Sequence, residues 1–279
     1  PKSAFSIAVG GEFDEFDLNE FFRAEGSDVN AHFVHEDDVQ RWLEIICGKR
    51  DASSIDDLKM GAQKPDLPFS SVWFKALLTH TLWFLPSVSS CYAMYNLLQM
   101  RHNRSLFIGY KILVAAGPDA GIGVEALRPV LEAMEDSLNS KTITLTCGKL
   151  TTGVTVRPWT GILMLRNIQT PETYFQAAFR VQSPWTVRKE NPNEYEIIKE
   201  ECYVFDFAPN RALRQIADYS CRLNIDDVSP EQKVREFIKF LPVLAFNGMK
   251  MNELRAEEVL DQAMSGTTAT LLARRWESA

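Results

Sequence analysis

Gln176 and Arg180 are the residues best suited to chemistry, and they lie four positions apart in the segment Tyr174–Ser183. Thr170 can cap a helix there, with Pro171 at its first position. Side chains four apart on a helix emerge on one face. A guanidinium held by a short helix at the mouth of a parallel sheet can stabilise charge on a γ-phosphate. The same arginine could instead form a surface salt bridge, and the spacing leaves both interpretations open.

Two glycine-containing loops match nucleotide-binding patterns only in part. Gly148-Lys149 is followed by Leu150, so the P-loop pattern fails, and no strand ends in an Asp-Glu pair that could supply the acid for Mg²⁺. The chain therefore has no ATP site of its own. Gly121-Ile-Gly123-Val-Glu-Ala126 matches a dinucleotide fingerprint, but four residues separate it from the preceding strand. We interpret it as a loop that opens a helix, and a dinucleotide site stays an alternative.

Metal and thiol chemistry have weak support in the sequence. His32 and His35 lie three apart without a third ligand, so we expect no metal site. Five cysteines, widely spaced, are typical of buried small side chains in a reducing compartment. Cys147 follows a predicted strand, where a nucleophile could lie, but no base is indicated, and we interpret it as a core residue.

The composition is that of a folded protein with an acidic balance. The chain has 279 residues, 46% of them hydrophobic, and 30 Lys and Arg against 37 Asp and Glu, a net charge of −7. Bulk attraction to a nucleic acid is excluded, so any such binding needs a local cluster of donors. No apolar run reaches the ~20 residues of a membrane span, and we expect a cytoplasmic protein. The acidic residues concentrate in 11–38, around a predicted helix at Leu18–Phe22. This region is either a solvated surface or a docking face for a basic partner.

Alternating strands and helices predict the fold class. Five short apolar runs indicate buried strands at Thr79–Leu85, Lys111–Ala115, Thr142–Thr146, Gly161–Leu165 and Cys202–Phe207. Helices between them, at Val88–Met100 and about 124–138 among others, indicate an α/β protein with a parallel sheet covered on both faces. Such sheets bind ligands beyond the carboxyl ends of their strands.

Three regions follow from this pattern. Residues 1–70 form an acidic segment with a polar linker, residues 71–225 the α/β domain, and residues 226–279 a helical extension without strands. The extension begins with the capping box Ser229-Pro-Glu-Gln232. Two further helices are predicted at Glu253–Met264 and Thr267–Trp276.

The order of these motifs resembles superfamily 2 helicases and translocases. Lys149-Leu-Thr-Thr-Gly153-Val-Thr155 is similar to their motif V, Gln176–Ser183 to motif VI, and Leu82–Ser87 lies where motif IV belongs. The segments LPSVSSC, CGKLTTGVTV and SPW are similar to helicase-type subunits of bacterial restriction–modification systems. The resemblance covers about residues 70–222. It implies the second RecA-like domain of an ATP-dependent motor.

The resemblance also implies roles for single residues. Arg180 would act as the arginine finger, with Gln176 coupling domain closure to the motif V turn, and Gly153, Thr155 and Arg180 would contact ATP. Ser87, Thr151 and Thr152 would contact DNA phosphates through neutral groups, which suits an acidic protein. Three positions depart from the pattern: Phe179 replaces its Gly, Ser183 its last Arg, and Thr155 an Asp.

The sequence therefore predicts half of a DNA motor. ATP and Mg²⁺ would need a first RecA-like domain upstream, and the start at Pro1 without Met agrees with a cut there. This fragment alone would be inactive. Expected partners are DNA, that first domain, and a nuclease or methyltransferase subunit. Two alternatives stay open: an α/β enzyme that binds a dinucleotide or small ligand, and a protein–protein interaction module.

Overall fold

The computed structural model describes residues 16–49, 67–121, 124–189, 194–223, 228–246 and 251–264. The strands, in chain order, are β1 (Ala24–Glu25), β2 (His32–Phe33), β3 (His80–Phe84), β4 (Tyr110–Val114), β5 (Lys141–Thr146), β6 (Gly161–Met164), β7 (Thr186–Arg188), β8 (Tyr195–Ile197), β9 (Tyr203–Asp206), β10 (Leu244–Phe246) and β11 (Met251–Glu253).

The helices alternate with the strands of the main sheet. They are α1 (Leu18–Phe21), α2 (Glu36–Ile46), α3 (Val72–Leu77), α4 (Val88–Gln99), α5 (Arg101–Arg104), α6 (Val124–Ala133), α7 (Pro171–Ala178), α8 (Pro209–Leu223), α9 (Pro230–Ile238) and α10 (Ala256–Met264).

Five parallel strands form the central sheet, in the order β4-β5-β3-β6-β9. The predicted α/β class and parallel sheet are confirmed. The first of these strands along the chain, β3, lies in the middle, and its last residue, Phe84, pairs with Thr146 on one side and Met164 on the other. The segments that follow β3, β5 and β6 therefore meet at one edge of the sheet, which is the edge where parallel sheets bind ligands.

The sheet separates two hydrophobic cores because successive side chains of a strand point to opposite faces. Trp83 and Leu85 pack with α1, α2 and α4 on what we call the N-terminal face. Leu82 and Phe84 pack with α6 to α10 on the C-terminal face. Residues 16–49, acidic on their exposed positions, thus supply buried side chains to the fold, including Leu18, Phe22, Phe33, Val39, Leu43 and Ile46.

Local signals for helix starts are confirmed. The Thr170 hydroxyl accepts a hydrogen bond from the Thr173 amide, with Pro171 at the first position of α7. Ser229 does the same for Gln232 at the start of α9. α1 confirms the short helix expected near Leu18.

The expectation that no strand follows residue 226 is wrong. β10 and β11 form an antiparallel hairpin there, and β7 and β8 form another that the sequence analysis also missed. Each strand has three residues, too few to show an alternating pattern.

Two helices end earlier than expected. α6 stops at Ala133 instead of about residue 138, and α7 stops at Ala178, followed by a 3₁₀ turn at Phe179–Val181. Most of the polar stretch at 49–70 and the predicted helix Thr267–Trp276 lie outside the described residues.

Candidate functional site

Arg180 joins α7 to the loop that follows β5. It lies in the 3₁₀ turn after α7, half-buried, where its Nε donates a hydrogen bond to the Gln176 carbonyl at 3.0 Å. Its Nη1 donates to the carbonyl of Val154, in the loop of residues 147–160. The structure therefore brings the predicted motif V and motif VI segments into contact through the side chain proposed as the finger.

Gln176 and Thr155 are exposed, one on each of these joined segments. The Gln176 carbonyl orients the Arg180 guanidinium, since it accepts from Nε. An arginine carries five N–H donors, so two backbone acceptors leave donors for a further anion. Thr155 follows Val154, and the Val154 carbonyl accepts from Arg180. The structure therefore brings Arg180 to the loop that carries Gly153 and Thr155, the other residues predicted to contact ATP.

Arg180 does not lie at the carboxyl mouth of the sheet, in contrast to our expectation. Val181 is the residue after Arg180, and its carbonyl accepts a hydrogen bond from the Lys199 ammonium. The same ammonium donates to the carbonyl of Trp159, which lies two residues before the amino end of β6. A helix of eight residues rises ~12 Å, about the length of a four-residue strand. α7 starts after the carboxyl end of β6 and so returns its last turn towards the amino end.

The turn after β5 is fixed by its own hydrogen bonds. The Thr151 hydroxyl donates to the Gly148 carbonyl at 2.7 Å, and Thr151 is buried. Gly153 has a φ of +69°, which favours glycine, while Thr152 and Gly153 are exposed. Of the threonines expected to contact DNA, Thr152 presents its side chain to solvent and Thr151 uses its hydroxyl within the turn.

Lys149 ties this turn to the loop after β4. Its Nζ donates hydrogen bonds to the carbonyls of Gly117 and Gly121, and both glycines have positive φ. Gly121 opens the dinucleotide-like motif, of which Ile122 and Gly123 lie outside the described residues. The carbonyl of Gly121 is thus occupied by a lysine of the neighbouring strand connection.

Ser87 caps α4 at the carboxyl end of β3. Its hydroxyl accepts a hydrogen bond from the Ser90 amide at 3.0 Å, and the Ser90 hydroxyl donates to the Phe22 carbonyl at 2.7 Å. The first turn of this twelve-residue helix carries the positive end of the helix dipole. Because β3 pairs with β5, Ser87 lies at the same sheet edge as the Cys147–Gly153 turn.

Cys147 and Arg166 form a second cluster at this edge that the sequence analysis missed. Arg166 Nη1 donates to the Cys147 carbonyl at 2.8 Å, and its guanidinium lies 4.9 Å from the centre of the Phe84 ring. A hydrogen bond with the Cys91 thiol, together with the nearby Arg166 cation, lowers the pKa of Cys147 to about 7 despite its partial burial. We interpreted Cys147 as a core residue, but its thiol is free and half-buried. Arg166, which follows β6 two strands away from β5 in the sheet, was the available signal.

Asn167 fastens the N-terminal segment to the carboxyl end of β6. Its Oδ1 accepts from the Leu18 amide at 3.0 Å and from Arg211, and its Nδ2 donates to Asp17 at 2.7 Å. At the end of β9, burial raises the pKa of Asp206 to about 6, while its Oδ1 accepts from the Ala208 amide at 2.7 Å. These contacts hold the edge of the site together.

Within the described ranges, no group of three or more His, Cys, Asp and Glu side chains could hold a metal ion. In the same part of the chain, no helix has the length and apolar character needed to cross a bilayer.

Comparison with known proteins finds a relative in a mycoplasma. No protein-family model matches the chain. The chain is 30% identical over 237 residues to a protein of Mycoplasma pneumoniae (strain ATCC 29342 / M129 / Subtype 1) described as "Putative type II restriction enzyme and methyltransferase RM.MpnORF110P C-terminus". The alignment covers 84% of this chain and 30% of the relative, so the chain spans less than a third of that protein's length. Over most of its length, the chain is similar to one segment of a protein with that description.

Proposed function

We propose that the chain is the second RecA-like motor domain of an ATP-dependent DNA helicase or translocase in a restriction–modification system. The observation that carries this proposal is the Arg180 contact with Val154, which joins the motif VI helix to the motif V loop. The description of the Mycoplasma pneumoniae relative supports the restriction–modification context.

Arg180 suits the role of an arginine finger. Its guanidinium is oriented by two backbone carbonyls, and its remaining N–H groups can reach a phosphate presented by another domain. Bound ATP with Mg²⁺ supplies the γ-phosphoryl group for transfer to water, and a first RecA-like domain would hold both. Arg180 would stabilise the charge on that group, and the exposed Gly153 and Thr155 would line its approach.

The carboxyl edge of the sheet suits contact with a DNA backbone. Ser87 begins a helix whose first amides favour anions, and Thr152 is exposed on the neighbouring turn. Backbone amides and hydroxyls position phosphates without a basic surface, which agrees with a net charge of −7. Thr151 would contribute its backbone, because its hydroxyl donates to Gly148.

The proposed motor acts within a larger assembly. Domain closure would bring a first RecA-like domain against Arg180 and Gln176, and a nuclease or methyltransferase would use the resulting movement on DNA in the cytoplasm. The relative's description names a restriction enzyme and a methyltransferase, which agrees with partners of this kind.

The test is phosphate release from ATP by the complete protein, measured without nucleic acid, with duplex DNA and with RNA of equal length. We expect hydrolysis that DNA stimulates about tenfold or more and RNA does not. Absence of ATP hydrolysis in all three conditions would overturn the proposal. Binding of a dinucleotide in place of ATP turnover would favour the alternative that uses the Gly121–Ala126 loop.

A further inference from the structure

Lys199 makes an unusual set of contacts close to Arg180. Its Nζ lies 2.8 Å from the Arg157 carbonyl oxygen, 2.9 Å from that of Trp159 and 2.8 Å from that of Val181. An ammonium group has three N–H donors and no acceptor, so these three carbonyls take all of them. Lys199 is half-buried, and backbone carbonyl oxygens, not a carboxylate, accept its three described hydrogen bonds.

These carbonyls belong to the two segments that Arg180 also joins. Val181 follows Arg180 in the 3₁₀ turn, and it is fully buried. Arg157 and Trp159 lie in the loop that contains Val154, which accepts from Arg180. The turn and the loop are therefore held at two places, once by the Arg180 guanidinium and once by the Lys199 ammonium.

We infer that Lys199 is a positioning residue for Arg180, because its ammonium fixes the turn that carries Arg180 to the loop following β5. This inference rests on the proposed function for its effect on turnover, but not for its effect on the loop. The Arg180 side chain alone could swing away when it contacts a phosphate. A second cation on the backbone keeps the turn in place while the guanidinium exchanges partners.

The charge state of Lys199 can be followed by pH. Burial lowers the pKa of Lys199 to about 8, and a neutral amine has only two N–H donors for the three carbonyls. Four titratable or charged groups lie near Lys199. Cys202 is on the same segment, Arg157 is on the loop before β6, Arg180 is on the 3₁₀ turn, and the His80 ring contacts that of Trp185. Burial raises the pKa of Cys202 and lowers the pKa of His80, so both are neutral near pH 8.

The first test measures ATP turnover by the complete protein carrying Lys199→Met, Lys199→Arg or Lys189→Met. Lys199→Met should lower kcat about ten- to hundredfold with KM little changed, because misplacement of a finger acts on the transition state. Lys199→Arg keeps a cation and should restore most of the rate. Lys189 is an exposed lysine on the nearby β7 connection, so Lys189→Met should match the wild type.

The pH profile separates positioning from a structural role. In the wild type, kcat should fall as the pH rises through about 8, where Lys199 loses its proton. Lys199→Arg should remove that fall, and Lys199→Met should show a low rate without it. Equal profiles in wild type and Lys199→Arg would overturn the inference.

Hydrogen exchange tests the three contacts of Lys199 with backbone carbonyls, which we call the clamp, independently of catalysis. In Lys199→Met, amides of residues 151–160 and 179–182 should exchange at least about tenfold faster, while those of α4 stay unchanged. If exchange rises in Lys199→Met but neither the wild type nor the variants hydrolyse ATP, the proposed function fails and the clamp stands. If exchange rises and Lys199→Met hydrolyses ATP as fast as the wild type, the clamp stands but Lys199 does not position Arg180. If exchange in both segments is unchanged, the clamp is wrong whatever the turnover shows.

Discussion

Both faces of the sheet bury apolar side chains, but the contacts that hold their loops differ. On the N-terminal face, aromatic packing is prominent, with Trp83 within 6.1 Å of the ring centres of Trp42, Phe69 and Phe107. On the C-terminal face and its carboxyl edge, irregular loops are fixed by cations on backbone carbonyls, through Lys149, Arg180 and Lys199.

This difference separates stability from function. Packing distributes energy over many contacts, so the two apolar cores give the sheet a rigidity that depends little on any one of the loop contacts. A cation on a carbonyl is a local contact that a phosphate can replace, because a charged oxygen is the stronger acceptor. The loops of the C-terminal face are therefore the part of the molecule suited to respond to a ligand.

Substitution on the N-terminal face should have the largest effect on stability. Trp83 is fully buried in β3, and its Nε1 donates to the Thr81 hydroxyl at 3.1 Å. Trp83→Ala should lower the free energy of unfolding by about 3–5 kcal/mol, measured by urea denaturation. Trp73, 54% exposed, provides the control. Equal losses for Trp83→Ala and Trp73→Ala would contradict the placement of Trp83 in a tightly packed core.

Asn167 should contribute less, because it fastens one edge by polar contacts. Asn167→Ala removes the acceptor for the Leu18 amide and the donor to Asp17. We expect a loss of about 1–3 kcal/mol in the free energy of unfolding and faster proteolysis near residues 16–22.

The matched control is Asn139→Ala, since Asn139 is exposed, its side chain donates to the nearby Asp136 carboxylate, and its backbone amide, which the substitution keeps, donates to the Asp136 carbonyl. Its loss should stay within about 0.5 kcal/mol. Asn167→Ala with the stability and proteolysis pattern of Asn139→Ala would show that the N-terminal segment is held by packing alone.

Cys147 should differ from Cys91 in reactivity without any loss of stability. The hydrogen bond from Cys91 and the Arg166 cation hold the pKa of Cys147 at about 7, whereas burial raises the pKa of Cys91 well above its usual range. Alkylation of Cys147 by iodoacetamide, followed by mass spectrometry, should rise through pH 7 as the thiolate forms. Arg166→Met should shift that rise to higher pH. Preferential labelling of Cys91 would contradict this assignment.

Local patterns explain what the sequence could predict. The five main strands and the caps at Thr170 and Ser229 each depend on neighbouring residues, and all were predicted. Lys199 was not, because its acceptors lie 18, 40 and 42 residues away and only the fold brings them together. Asn167 likewise contacts residues about 150 positions earlier. The position of Arg180 depended on the length of α7, and helix ends are weakly encoded.

The most direct test of the proposed motor function is DNA-stimulated ATP hydrolysis by the complete protein with Arg180→Ala. Arg128→Ala is the control, because Arg128 forms an exposed pair with Glu132 at 2.8 Å on α6. We predict that Arg180→Ala lowers kcat about 10³-fold or more while the Kd for DNA changes less than about threefold. Arg128→Ala should leave both unchanged. Turnover by Arg180→Ala equal to that of Arg128→Ala would contradict the assignment of this chain as a motor domain with Arg180 as its finger.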